Sequence, residues 1–237
     1  AINALTTTEI RAFDTVELGY FSTTQINAIT TTDIEQLTNT QVKGLNSTFV
    51  AALNTTQIVT LSTTELSNLT TTQLNFVETT DVAVLTTTQV TSLTTAQLNG
   101  LNTTNLGALT TTQVTSLSTT QVAGLTTTTL NRLSTTTIAV LNTTEINNLT
   151  TAQLNAINTT NLEALTTTQV TSLSTTQVAG LTATTLNNLE TTDLVALTTT
   201  QVNALTTAQL NALDSTSVAA LTTTQVTSLS KIGRAHV

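Results

Sequence analysis

Leu109–Thr126 reads LTTTQVTSLSTTQVAGLT, and the same stretch returns unchanged at residues 165–182. Inside it Leu109, Leu117 and Leu125 stand eight residues apart, and Val114 and Val122 each follow a leading Leu by five. Working outward, a large apolar residue occupies every eighth position from Leu5, Phe13, Phe21 and Ile29 to Leu221 and Leu229. A Val, Ile or Leu follows each of them, from Ile10 to Val226. The consensus octad, L-T-T-T-Q-V-x-A, never gains or loses a residue, so residues 1–230 read as one uninterrupted array with no internal linker. LTTTQVTSLS appears once more at 221–230, again 56 residues on, which marks a tandem super-repeat of seven octads.

Numbering the octad from its leading apolar residue, slot 2 holds Thr, Ser, Asn or Asp throughout the array except at Glu78 and Glu190. That is the repertoire of a helix N-cap, whose side-chain oxygen accepts from an orphan backbone N–H. Slot 5, three residues later, is mostly Gln, Glu or Asp, as in Thr6 with Glu9, Thr110 with Gln113 and Asn142 with Glu145. This is the capping box, in which the second side chain reaches back to the N-cap N–H. Slots 1 and 6 then fall at N′ and N4, the two positions of a hydrophobic staple. Eleven of the thirteen acids sit in slots 2 and 5, near the positive end of the expected helix dipole. Gly19, Gly44, Gly100, Gly107, Gly124 and Gly180 all fall in slots 7 and 8, where a chain leaving a helix is expected to use glycine or Asn.

Each octad is therefore expected to form one short capped helix, giving an all-α solenoid. The β-branched Thr and Val keep a β-solenoid as the alternative, provided each coil turns a corner between slots 1 and 6. Fixed apolar spacing speaks against a disordered tract. Two buried aliphatics stabilise less than the ordering of eight residues costs, so octads must stack on one another to fold.

Composition narrows the function. Charged residues make up 8% and aromatics 2% of the chain, and Cys, Met, Trp and Pro are absent. Thiolate nucleophiles and Cys-based metal sites are thereby excluded. The net charge of −8 disfavours a nucleic-acid reader. No apolar run is long enough to span a bilayer, so no membrane insertion is expected. The carboxylates are dispersed at capping positions rather than paired in the manner of an acid–base site. No catalytic, cofactor-binding or metal residues are assigned, and no enzyme activity is expected. Calcium-binding bacterial nonapeptides carry a Gly- and Asp-rich pattern that this octad lacks.

The opening LTTTQV resembles the first-helix opening of TAL-effector repeats, L-T-x-x-Q-V. Those repeats are longer, carry a base-reading loop and a basic surface, and bind DNA. Arg11, Lys43 and Arg132 are too few to hold phosphate, so the likeness is read as a shared helix-start signal. Rows of Thr resemble, in composition, the ice-binding face of solenoid antifreeze proteins, which makes ice binding a remote alternative. As a whole the array resembles the Thr-rich short-period repeat regions of large bacterial secreted or surface-attached proteins, adhesin-like ones among them. That resemblance implies a stalk, spacer or adhesive surface outside the cell, within a larger protein. The rival is a protein- or glycan-binding solenoid that uses slots 7 and 8, where Arg11, Tyr20, Lys43, Phe76 and Arg132 depart from Ala, Asn and Ser.

The tail Lys231–Val237 shares nothing with the repeat, and Ile232–Val237 resembles a translated short-read sequencing adapter. It is read as non-native, which removes His236, the single histidine, from consideration. Without the tail the cations are Arg11, Lys43 and Arg132, and the charge becomes 3 − 13 = −10.

Overall fold

The computed structural model of the chain describes residues 5–229; the tail 231–237 lies outside the described residues. Among the described residues twenty-eight α-helices of four to six residues follow one another from α1 (Thr7–Ala12) to α28 (Thr223–Ser228), one per octad. No strand occurs among the described residues, so the β-solenoid alternative is set aside.

Local chemistry accounts for each helix. In α11 (Thr87–Ser92) the N-cap Thr86 accepts from Gln89 N at 3.1 Å through its Oγ1, and Gln89 Oε1 accepts from Thr86 N at 2.9 Å. The same reciprocal box closes at Thr110 with Gln113, at Asn142 with Glu145 and at Thr198 with Gln201. Most helices end because slot 1 of the next octad turns extended; others stop a residue or two earlier, at an αR residue such as Tyr20 or Glu35. Leu93, which closes α11, has φ −61° and ψ 135°, and it serves at once as the residue preceding the next N-cap. Glu78 and Glu190, the two residues outside the capping repertoire, make no side-chain cap hydrogen bond.

The chain divides into two compact units, one ending at Leu117 and the other beginning at Ser118. In the first, α5 (Asn39–Gly44) packs on α8 (Thr63–Asn68), and α8 on α11. In the second, α21 (Thr167–Ser172) packs on α24 (Thr191–Ala196), and α24 on α27 (Ser215–Ala220). Within each unit these helices meet the one three octads away, and in places the one four away, as α2 (Thr15–Gly19) does with α6 (Ser47–Ala52).

Slots 1 and 6 form the core of each unit: Val42, Ile58, Val170 and Val202 are fully buried, and Leu61, Leu69, Leu173 and Leu205 nearly so. Slot 6 is covered by the coil that follows it. Where no described coil follows, Val218 and Val226 are 50% and 45% exposed in the same slot.

Gly44, Gly100 and Gly180 end their helices as expected, and no described glycine has positive φ, so none supplies a left-handed turn. Gly100 and Gly180 instead permit close approach: a Cβ on either would lie 2.5 Å from the Cγ2 of Thr71 or Thr151. The aromatics divide: Phe49 is buried and Phe13 meets Phe21 edge to face at 5.2 Å, whereas Tyr20 and Phe76 are exposed.

Candidate functional site

The most elaborate polar chemistry in the chain lies in slot 5, between successive coils. Beyond closing its own capping box, Gln89 donates through Nε2 to the carbonyls of Ile58 at 3.1 Å and Leu61 at 2.8 Å. Gln73 does the same to Val42 at 2.9 Å and Leu45 at 2.7 Å, and in the second unit Gln201 reaches Val170 at 3.0 Å and Leu173 at 2.8 Å. The acceptors lie 31 and 28 residues back in every case: the slot-6 carbonyl at the end of one helix and the slot-1 carbonyl that follows it. The slot-6 carbonyl also accepts from the N–H that closes its helix, as Val42 O does from Leu45 N at 3.3 Å, and the slot-1 carbonyl lies beyond the helix, so this amide takes up acceptor capacity that short helices leave over at every turn.

The 28-residue offset also defines the coil. It equals 3.5 octads, because 28/8 = 3.5, and two coils make up the 56-residue super-repeat. Three properties of glutamine are used together: an acceptor at one end of the amide, a donor at the other, and a side chain long enough to turn back to the cap. Asn105 and Asn161 keep only the second function. Asn105 Nδ2 donates to Leu74 at 2.7 Å and Val77 at 3.1 Å, and Asn161 Nδ2 to Leu130 at 3.0 Å and Leu133 at 3.1 Å, with no reciprocal box. Sequence reading assigned slot 5 to capping alone. The signal for more was the preference for Gln over Glu, since only the amide can donate.

A second clip was also missed. Asn75 in slot 7 donates to the Gly100 carbonyl at 2.9 Å and accepts from Asn102 N at 2.7 Å. Asn155 makes the corresponding pair with Gly180 at 2.8 Å and Thr182 N at 2.8 Å. The glycines that admit Thr71 and Thr151 therefore also present the carbonyls that these asparagines hold.

Carboxylates occupy slot 5 at five buried positions, Asp33, Glu65, Asp81, Glu145 and Asp193. Burial, with the charge of Glu78 beside it, pushes the Asp81 carboxyl up to about 6. Burial and Glu190 do the same to Asp193, whose Oδ2 is buried without a hydrogen-bond partner. Burial also raises Glu145, opposed in part by the Asn142 N–H. These acids are dispersed along the array, and no group of three or more His, Cys, Asp or Glu among the described residues could hold a metal ion. The core void lined by Ile58, Leu66, Leu74 and Val82 offers about 10 Å³, at the limit for a single water, and its lining is apolar.

Of the slot 7 and 8 departures, Tyr20 and Phe76 are 81% and 48% exposed and lie 56 residues, two coils, apart within the first unit. Arg11 and Lys43 are exposed but 32 residues apart, off the 28-residue register. Arg132 is half-buried, its Nη2 3.4 Å from Thr129 Oγ1. Among the described residues no helix is long and apolar enough to cross a membrane.

The ALTTAQ repeat model matches residues 26–63, 76–111, 146–183, 186–223 and 203–231, well over half the chain. No curated protein matches it. Leu, Thr and Gln of that signature are the staple, cap and coil-joining residues described above, and the chain belongs to the ALTTAQ repeat family.

Proposed function

We propose that the array is a non-catalytic structural segment, a stalk or spacer of a larger bacterial protein that acts outside the cell or on its surface. The observation that carries this reading is where the polar side chains are spent. Slot-5 amides and slot-7 asparagines join one coil to the next, and the buried acids stand in the same joining slot, while the exterior is left to small hydroxyl residues such as Thr87, Thr88, Thr111 and Thr112. Such a design extends by adding coils without altering a site. Chains carrying two, four and six 56-residue super-repeats between a surface anchor and a reporter domain test the proposal. The reporter's reach is expected to grow in equal steps, and a reach independent of repeat number refutes the spacer role.

An adhesive reading is favoured by Tyr20 and Phe76, large apolar side chains exposed two coils apart on the first unit. Tyr20→Ala with Phe76→Ala is expected to abolish retention on a glycan or protein array while leaving the circular dichroism unchanged. Absence of any retention by the unaltered chain removes this second reading.

A further inference from the structure

Asp81 and Asp193 occupy the joining slot that most octads fill with a side-chain amide. The offsets of 31 and 28 residues that hold for the Gln and Asn donors assign them the carbonyls of Val50 with Leu53 and of Leu162 with Leu165. Asp81 and Leu53 line one surface cleft, together with Asn54 and Glu78. Aspartate has the reach of asparagine, and Asn105 and Asn161 span the same gap through Nδ2. An ionised carboxylate there is acceptor-only and faces acceptors; a protonated one carries the missing donor. Both residues are 2% exposed, and Asp193 Oδ2 is buried without a hydrogen-bond partner.

We propose that Asp81 and Asp193 are acid-closed joints: on protonation each carboxyl donates to the helix-end carbonyls of the preceding coil, tightening the array in mildly acidic surroundings and loosening it at neutral pH. The charged surroundings favour uptake of a proton at both. α10 (Thr79–Val84), which carries Asp81, packs on α7 (Thr55–Ile58) and α13 (Thr103–Gly107), neither of which bears a titratable group, so Glu78 is the charge beside it. α24 packs on α21, which has none, and on α27, whose N-cap is Asp214. Glu163 ends α20 (Thr159–Glu163), the helix that carries the Leu162 carbonyl, and Glu190 stands at the N-cap of α24 itself. All are acidic. Sites 81 and 193 are two super-repeats apart, 193 − 81 = 112, and both belong to the sequence ETTD, so the acid pair recurs as a unit.

The sign follows from linkage. A carboxyl raised to about 6 from the ordinary 3.8 binds its proton more tightly in the folded state, so its penalty is absent below pH 3.8 and complete above pH 6. Glu9 and Asp214, held below the ordinary range by hydrogen bonds from Thr6 and Ser217, act in the opposite sense. The test is therefore a difference between variants of the full chain. Asp81→Asn with Asp193→Asn supplies the amide already used at 105 and 161. Urea unfolding from pH 4 to 8 is expected to show the double variant favoured at pH 7.5 by about tenfold to a hundredfold in folding equilibrium per site, the gap closing below pH 5. A gap constant with pH, or a wild type more stable at pH 7.5, overturns the proposal. Carboxyl ¹³C titration of the wild type decides the matter even if the double variant does not fold. Midpoints near 6 that fall when Glu78→Gln and Glu190→Gln are introduced support it, and midpoints near 4 refute it.

Discussion

Gln73→Glu exchanges one heavy atom, the amide nitrogen for an oxygen, and isolates what the joining amide does. The capping function survives, because a carboxylate oxygen can accept from Thr70 N as Gln73 Oε1 does at 2.7 Å. The donor is lost to Val42 at 2.9 Å and to Leu45 at 2.7 Å, and a charge is placed on a side chain that is 5% exposed. Two hydrogen bonds at about 1 kcal/mol each, with buried acceptors left facing an anion, give a cost of about 2–4 kcal/mol at pH 7. Gln25→Glu is the matched control. Gln25 is exposed and accepts from Ser22 N at 2.8 Å, so the same substitution there retains its bond and places an acid near a helix N-terminus. Its effect is expected to stay within about 0.5 kcal/mol. Urea unfolding followed by circular dichroism gives the midpoints, and hydrogen exchange around α9 (Thr71–Leu74) detects local opening of the joint. Gln73→Glu is expected to recover part of its loss at pH 4, where the introduced acid is protonated. Equal midpoints for the two variants at pH 7 would refute the inter-coil role of the amide.

Other substitutions separate the remaining contributions. Gly100→Ala forces a methyl against Thr71 and is expected to cost about 1–3 kcal/mol, whereas Gly107→Ala, with nothing within 4 Å, is expected to stabilise by about 0.4–1 kcal/mol. Opposite shifts in Tm check the pair, and shifts of the same sign contradict the packing argument. Asn75→Ala removes the bonds to Gly100 and Asn102 and is expected to cost about 1–3 kcal/mol, read from the urea midpoint. Glu190→Thr installs the N-cap side chain that α24 lacks and is expected to gain about 1 kcal/mol, while Thr86→Ala is expected to lose about as much. Differential scanning calorimetry reads both, and a loss at Glu190→Thr counts against the capping reading. Glu145→Gln is expected to stabilise the chain more at pH 7.5 than at pH 4, since burial raises that carboxyl; a pH-independent effect speaks against it.

The sequence by itself determined where every helix begins. An N-cap is a contact between residues three apart, so Thr86 and Gln89 carry the whole instruction locally, and the Glu78 and Glu190 exceptions proved to be the helices without a side-chain cap. The burial of slots 1 and 6 was equally legible, because a strict spacing of apolar residues needs a shared core to explain it. Tertiary structure alone decided that the coil closes after 3.5 octads, since that number follows from how helices pack side by side and leaves no mark inside a single octad. It also decided the second function of glutamine. The partners of Gln89 lie 31 and 28 residues away, and a carbonyl is present at every residue, so no residue type at the far end announces the bond. The glycines of slot 8 fall on the same side of the division. Their place in the octad suggested a helix end, and only the approach of Thr71 and Thr151 showed that they make room for the neighbouring coil.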